Sequence, residues 1–407
     1  MENETEKRRF NPVKGLLMKL NIYQDGKLDP TFLILVLVLL TVGLICLFSS
    51  SYAYALQNYG NSFHFIKKQL FFAVAGVCIM LFLSNVDYHF YKKFAWIIYF
   101  LSVIMLIVVL ILPPLQEGFD YKRWLKIGSF SFQPSEIAKF AIILLFSKLI
   151  ANNSKNMKKF SFGIATLGAL LALVCGLVVV ETHLSATLLI FAIGVSLMVV
   201  GGIKARYIAG GAVAGVALGA GAILSGVVDY GSTRLAVWRD PWSDVTGSGW
   251  QTIQSLLSIG SGGLFGAGLG ESRQKYLWVP EPHNDFIFAI VCEELGLVGA
   301  LVIIALFAAL VWRGFIIASR AKDQFGTLMA FGLIIQVGIQ AALNIMVVTN
   351  TIPNTGISLP FFSYGGTALL IQMGEAGILL SISRENPCAA YAPRELFHKV
   401  KNQKIEE

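Results

Sequence analysis

The sequence predicts an all-α polytopic membrane protein with about ten transmembrane helices. Of its 407 residues, 56% are hydrophobic and only 14% are charged, whereas about a quarter of the residues in a soluble globular chain are charged. The hydrophobic residues also come in long runs, and a helix of about 20 such residues spans the bilayer core. The composition therefore excludes a soluble globular protein and provides enough apolar sequence for many spans.

Ten apolar runs predict the spans themselves. Their approximate ranges are 31–52, 70–86, 94–112, 136–151, 163–180, 184–201, 208–227, 285–312, 326–350 and 365–383. Together they form one membrane domain, 31–384, between polar tails at 1–30 and 385–407. The longest connection, 228–284, lies between the seventh and eighth spans and is predicted to be a long extracellular loop.

The distribution of basic residues predicts the orientation. With the N-terminus inside, most of the 32 Lys and Arg residues fall on the cytoplasmic side, as the positive-inside rule expects. An even number of spans then places both termini in the cytoplasm. Topology thus explains the net charge of +8, and no basic stripe with stacking aromatics supports nucleic-acid binding. The five cysteines have no paired spacing that would indicate a disulfide framework or a zinc site.

Four polar clusters lie on the predicted outer side, and the first precedes the fourth span. It reads KRWLKIGSFSFQPSEIAK, residues 122–139. Glu136 and Lys139 are three residues apart and therefore share one helix face. A charge pair at a helix start and an interfacial Trp124 explain part of the cluster. Lys139, however, points into a run at membrane depth, where ionisable residues are usually functional.

The second cluster is the long loop, 228–284. It contains four tryptophans, several cations that include Arg234 and Lys275, and the glycine-rich stretch SGGLFGAGLG. No strand precedes these glycines, so a dinucleotide-binding site is excluded. Glycines in such a stretch allow the backbone to approach either a helix or a ligand closely, and both interpretations remain open.

The third cluster, PEPHNDF, leads into the eighth span and brings Glu281, His283 and Asp285 within five residues. An aspartate at a helix start is most often an N-cap, but a cap needs only one of these side chains. Deeper in the same helix, Glu293 and Glu294 point in different directions. One of them is expected to support the site from below, and the other to pair with a neighbouring helix.

The fourth cluster, NTGISLPFFSYGG, contains Ser363 and breaks helix geometry at membrane depth with proline and glycine. Such backbone persists only where it is buried in protein or lines a wet cavity. A structural re-entrant loop and direct ligand contact are equally compatible with the sequence. The four clusters together predict an outer polar cavity for a lipid with an anionic head group, whose phosphates the cations would bind.

These motifs resemble those of the SEDS family, which includes FtsW, RodA and SpoVE, and they are most similar to the FtsW and SpoVE types. The resemblance covers nearly all of the membrane region, in order. It implies a ten-helix fold and a peptidoglycan glycosyltransferase that polymerises lipid II at the outer face of the bacterial cytoplasmic membrane. The implied partners are a class B penicillin-binding transpeptidase and the machinery of division, sporulation or elongation.

By position, Asp285 matches the essential aspartate of the family, and we expect it to be the catalytic base. The resemblance places Glu136, Lys139 and Trp124 along the cavity. The outer clusters supply the other residues expected to bind substrate, which are Arg123, Arg234, Lys275, Glu281, His283 and Ser363. No residue is predicted to ligate a metal, although a divalent cation, Mg²⁺ or Mn²⁺, is open as a cofactor.

The chain departs from the family pattern between the fifth and sixth spans. The family usually reads Gln-Pro-Asp-Leu-Gly-Thr there, whereas this chain reads ETHLSA, residues 181–186. His183 stands in place of an aspartate, and Glu181 is the candidate to take over the role of that aspartate. Two other functions remain as alternatives, a lipid II flippase and a non-catalytic division scaffold. Charge grouped on one side disfavours the first, and short tails disfavour the second.

Overall fold

The computed structural model describes residues 17–18, 23–112, 123–128, 130–204, 207, 235–247 and 249–384, and these residues are nearly all helical. The helices are α1 (Pro30–Tyr59), α2 (His64–Leu83), α3 (His89–Ile111), α4 (Pro134–Asn152), α5 (Leu167–Val180), α6 (Leu184–Val200), α7 (Trp250–Gly262), α8 (Ile287–Ser319), α9 (Gln324–Val348) and α10 (Gly366–Arg384). A π-helical turn, Ser161–Thr166, leads directly into α5. Strands β1 (Leu125–Ile127) and β2 (Phe130–Phe132) form an antiparallel hairpin before α4.

Nine of the ten predicted spans correspond to helices in the described part of the chain. The remaining one, the seventh span at 208–227, lies outside the described residues. Seven of the nine are long and apolar enough to cross a membrane. The other two are α6, which has 17 residues, and α4, which carries Glu136, Lys139 and Lys148. The prediction of a polytopic all-α membrane protein is confirmed.

The described part of the long connection, 235–247 and 249–284, contains helix α7 and is therefore more than a plain loop. Its glycine-rich stretch, 263–268, follows α7 and packs against a break in α8 at Gly296, where φ is +65°. Backbone N–H groups of the stretch donate to the carbonyls of Glu293 and Glu294, at 2.9 and 3.0 Å. A Cβ at Gly296 would collide with the backbone nitrogen of Gly266. The glycines thus allow the backbone of this stretch to approach a helix closely, which is one of the two predicted roles.

Different contacts join the helices at each of the two ends of the bundle. At one end, Arg313 of α8 forms an ion pair with Asp29, the N-cap residue of α1, at 2.6 Å. At the other end, called the cavity end here, the hairpin, the α5–α6 turn, the start of α8 and the segment 349–365 converge. The helices therefore act as a scaffold that brings the predicted polar clusters to a common place.

Candidate functional site

The cavity end encloses a polar cavity with a volume of about 340 Å³. Its walls come from the hairpin, α4, the α5–α6 turn, the start of α8, α9 and the segment 349–365. The lining residues are Arg123, Trp124, Gln133, Glu136, Lys139, His183, Ser185, Ala186, Leu189, Asn284, Asp285, Gln340, Gly356, Ile357, Ser358 and Tyr364. The first, third and fourth predicted clusters thus meet in one cavity.

Asp285 lies in this wall, half-buried, two residues before α8 begins. The N-cap position of the helix belongs to Phe286, so Asp285 is not placed as a simple cap. The buried amide of Asn344 fixes its backbone by donating to the carbonyls of Asp285 and Ile357, at 2.7 and 2.6 Å. A Cβ at Gly356 would lie 3.1 Å from the Asp285 carboxylate, so glycine leaves that carboxylate room at the cavity wall.

Lys139 lies in the same cavity, and only 2% of its side chain is exposed. Its ammonium group forms an ion pair with Glu136 at 2.8 Å and donates to the Gln340 amide oxygen at 3.1 Å. The second carboxylate oxygen of Glu136 is buried and has no hydrogen-bond partner among the described residues. An ammonium group placed this deep is stabilised mainly by its partners; it has three N–H donors, and the two contacts above account for two of them.

The hairpin and the α5–α6 turn form the opposite wall. Arg123 donates to the backbone carbonyls of Glu181 and Thr182, at 3.5 and 2.5 Å. His183 is 9% exposed and its Nδ1 lies 3.2 Å from the amide nitrogen of Gln133. Burial, together with the nearby cations, lowers the pKa of His183 to about 3. The imidazole is therefore neutral at physiological pH and does not reproduce the negative charge of the aspartate that the family pattern carries.

A second cavity of about 500 Å³ adjoins the first, with Trp124 and Tyr364 lining both. Its other walls include Lys67, Lys68 and two phenylalanines from the first turns of α2. The two lysines are exposed. An anionic group and an apolar chain would both find complementary surface there.

Four of the described residues predicted to bind substrate, His283, Ser363, Glu281 and Lys275, lie outside the cavity lining. His283 is buried against the rings of Tyr54, Phe65 and Tyr364, and burial lowers its pKa to about 4, so it is uncharged at neutral pH. The Ser363 hydroxyl donates to the Asn284 carbonyl at 2.8 Å. It thereby links the fourth cluster to the third instead of facing the cavity.

Glu281, the third of these residues, is exposed at the surface of the long loop. Its carboxylate accepts a hydrogen bond from the side-chain amide of Asn284 at 2.8 Å. The contact joins two residues of the same loop, and Glu281 does not appear in the wall of the cavity.

Lys275, the fourth of these residues, also lies away from the cavity wall. Its side chain is fully buried and forms an ion pair with Glu294 of α8 at 2.8 Å. The ammonium group also lies 4.8 Å from the centre of the Tyr52 ring, and the Glu294 carboxylate accepts a hydrogen bond from Ser49 of α1. Lys275 therefore fastens the long loop to the helices. The sequence shows its charge but not the buried carboxylate that pairs with it.

Glu293, beside Glu294, has a similar task. Its carboxylate accepts hydrogen bonds from the Arg273 backbone N–H at 2.8 Å and from the hydroxyls of Ser258 and Ser272. Glu294, through Ser49, is the one that pairs with a neighbouring helix, as expected for one of the two. Both carboxylates hold the long loop that leads to Asp285.

We expect Lys275→Met to destabilise the protein while leaving activity per folded molecule unchanged. The substitution leaves Glu294 buried without its cation, which costs about 3–5 kcal/mol. The melting temperature in detergent measures the effect. The matched double variant Lys275→Met/Glu294→Gln removes both charges and should recover much of the loss. A stable Lys275→Met protein that has lost its activity would return Lys275 to the binding residues.

Arg234 lies outside the described residues, so its binding role remains a prediction. Among the described residues, no three His, Cys, Asp or Glu side chains come together in a way that could hold a metal ion. Near the catalytic candidate, Glu136 is already paired with Lys139. A divalent cation can also be held by one or two carboxylates together with substrate phosphates, so this cofactor remains a prediction, and we assign no step to it.

The sequence analysis did not identify two side chains that hold the site together, Gln340 and Asn344. Gln340 accepts from Lys139 and donates to the Ser358 carbonyl at 3.0 Å, while Asn344 holds the backbone at Asp285. Together with Gln336 they are spaced four residues apart in apolar α9. That spacing places three amides on one face of a membrane helix, and it was the signal available in the sequence.

The comparisons with known proteins agree with this architecture. Residues 30–387 match the model of the FtsW/RodA/SpoVE family, described as cell cycle proteins. The chain is 39% identical over 357 residues to stage V sporulation protein E of Bacillus subtilis, covering 88% of this chain and 97% of that protein. It is 35% identical over 370 residues to a probable peptidoglycan glycosyltransferase FtsW of Geobacter metallireducens, covering 91% and 98%.

Solved structures show the same fold. A chain from a peptidoglycan synthase complex superposes with a TM-score of 0.74 at 24% identity, covering 88% of this chain and 98% of that one. The rod shape determining protein RodA of Thermus thermophilus superposes with a TM-score of 0.65 at 23% identity, with the same coverage. The family match spans nearly the whole membrane region, and the relatives named above are of the SpoVE and FtsW types. The chain belongs to the FtsW/RodA/SpoVE family of cell cycle proteins.

Proposed function

We propose that this protein is a peptidoglycan glycosyltransferase that polymerises lipid II into glycan strands. The observation that carries the proposal is the position of Asp285. Its carboxylate lies at the wall of a polar cavity that also contains Lys139 and Arg123. A base and two cations in one cavity suit a reaction that removes a hydroxyl proton and releases a pyrophosphate. The name of the Geobacter metallireducens relative, a probable peptidoglycan glycosyltransferase, supports the same activity.

In the proposed reaction, the Asp285 carboxylate takes the proton from the 4-hydroxyl of the acceptor's N-acetylglucosamine. The oxygen attacks the anomeric carbon of the donor's N-acetylmuramic acid and forms the new glycosidic bond. The bond between that carbon and the phosphate oxygen breaks, and its electron pair leaves with undecaprenyl pyrophosphate. Lys139 and Arg123 offset the negative charge that develops on the leaving group.

Two adjoining cavities suit a reaction that joins two lipid-linked molecules. Trp124 and Tyr364 line both cavities, so sugars bound on either side of them would meet near Asp285. Lys67 and Lys68 give the second cavity its own pair of cations, as a second pyrophosphate requires. The pair of cavities thus supports polymerisation, in which donor and acceptor are bound at the same time.

The cavity end would face the outside of the bacterial cytoplasmic membrane, with both termini in the cytoplasm. The distribution of basic residues supports this orientation. A class B penicillin-binding transpeptidase is the proposed partner. One of the similar solved chains belongs to a peptidoglycan synthase complex in which polymerization and crosslinking are coordinated, and this likeness supports the pairing. Such a partner would place this protein in the division, sporulation or elongation machinery.

Cysteine labelling tests whether the cavity end faces outside, as the proposed function requires. In a variant without the five native cysteines, Thr246→Cys lies exposed in the long loop, and Ser154→Cys lies exposed after α4. A membrane-impermeant thiol reagent added to intact cells should label the first variant and not the second. Labelling of the second alone would place the cavity in the cytoplasm, away from a growing wall, and would contradict the proposal.

A further inference from the structure

The turn between α5 and α6 contains a carboxyl group that the proposed reaction does not use. Glu181 is 1% exposed, and within the described part of the chain neither of its buried carboxyl oxygens has a hydrogen-bond partner. A carboxylate that is removed from water and left unpaired is strongly disfavoured. The turn is also strained, because Thr182 has a φ of +57°, a value that is rare for a β-branched residue. Burial and strain together mark a segment that the surrounding structure holds in place.

This turn connects two walls of the cavity. On one side Arg123 donates to the backbone carbonyls of Glu181 and Thr182. On the other side the Ser185 hydroxyl donates to the Thr355 carbonyl. Thr355 immediately precedes Gly356, whose missing side chain leaves room for the Asp285 carboxylate. Hydrogen bonds therefore connect the turn to Arg123, and the first turn of α6 to the segment beside Asp285.

The charged and titratable groups that line the cavity beside the turn come from five elements. Arg123 precedes the hairpin, Glu136 and Lys139 belong to α4, His183 belongs to the turn, Asp285 precedes α8, and Tyr364 belongs to the segment 349–365. Glu136 and Lys139 are already paired with each other, and His183 is uncharged at neutral pH. The Arg123 guanidinium is the group whose charge acts on Glu181. An ionised Glu181 would consequently draw this guanidinium towards itself.

We propose that Glu181 is a positioning residue, which in its protonated form leaves the Arg123 guanidinium on the cavity wall and in its ionised form withdraws it. This inference rests on the proposed function, because it gives Arg123 its task at the pyrophosphate of the substrate. Burial raises the pKa of Glu181 to about 8, against the lowering effect of Arg123. The carboxyl group therefore holds its proton at neutral pH and loses it in mildly alkaline solution.

The first experiment measures melting temperatures of the wild type and of Glu181→Gln in detergent from pH 5 to pH 8. Between the ordinary value of 4.5 and about 8, the folded protein keeps the proton that the unfolded chain has lost. The wild type therefore loses stability as the pH rises through this range, whereas Glu181→Gln has no such group to lose. The melting temperature of Glu181→Gln minus that of the wild type should therefore increase from pH 5 to pH 8. A constant difference would overturn the claim of a buried proton.

The second experiment measures polymerisation of lipid II from pH 7 to pH 9. Above a pKa of about 8, the protonated fraction falls about tenfold for each pH unit. The wild-type rate should fall by about tenfold at pH 9, while Glu181→Gln should keep its rate from pH 7. The matched control Glu271→Gln, which changes an exposed carboxyl group at the same end, should follow the wild type.

The possible outcomes separate this inference from the proposed function. Identical pH profiles for the wild type and Glu181→Gln would overturn the positioning role, even if both proteins polymerise well at pH 7. No polymer from either protein at any pH would contradict the proposed function. The melting experiment does not depend on activity and would still test the buried proton in that case.

Discussion

Asp285→Asn is expected to abolish glycan polymerisation while leaving the fold intact. The substitution removes the proposed base, and general-base catalysis contributes about 10²–10⁴-fold to a rate. Asparagine has nearly the same volume, and the hydrogen bond from Asn344 reaches the backbone carbonyl at this position, so that bond is retained. Gel analysis of the product from lipid II measures the loss, and the melting temperature should stay close to the wild-type value.

Glu281→Gln is the matched control for this substitution. It also neutralises a carboxyl group of the long loop, four residues earlier, but Glu281 is exposed and lies outside the cavity wall. Polymerisation by this control should be close to normal. Near-normal polymer from a well-folded Asp285→Asn protein would instead remove Asp285 as the base and leave it a structural role.

The double variant Glu136→Gln/Lys139→Met is expected to be stable and inactive. Lys139→Met alone leaves the Glu136 carboxylate buried without its cation, which costs about 3–5 kcal/mol. Its loss of activity would therefore not distinguish misfolding from lost binding. The double variant removes both charges, so no buried charge is left unpaired; it lacks the proposed contact between Lys139 and the substrate phosphate and the hydrogen bond from Lys139 to Gln340. Its melting temperature should recover, and its polymerisation should not.

The opposite result has an equally clear meaning. If the double variant recovers both stability and polymerisation, the Glu136–Lys139 pair is structural and the phosphate has another partner. The matched single variant Glu136→Gln keeps the cation and its hydrogen bond to Gln340. It should retain more activity than the double variant if the ammonium group itself binds substrate.

The fold was largely predictable because membrane helices follow from local composition. Long apolar runs must form helices in a bilayer, where every backbone polar group needs an internal partner. This rule predicted nine helices that the structure describes. It did not predict the break in α8 at Gly296, because the backbone groups freed there bond to the distant glycine-rich stretch 263–268. Such a pairing depends on tertiary contact, not on local sequence.

The site was predictable in part. Glu136 and Lys139 were predicted to share a face from their spacing, and the structure shows the ion pair. The environment of Lys275 was not predictable, because a loop cation and a helix carboxylate 19 residues away give no local sign that they meet. The same holds for Gln340, whose amide resembles any other polar residue in α9 until Lys139 is placed beside it. Burial and partners are properties of the assembled bundle.

The most direct test of the proposed function uses purified protein reconstituted in proteoliposomes with lipid II. Glycan strands and translocated lipid II are measured in the same sample. We predict polymer from the wild type and none from Asp285→Asn, with no translocation above protein-free vesicles in either sample. Translocation by both proteins without any polymer would show that the cavity conducts the lipid instead of joining its sugars, and would contradict the proposed function.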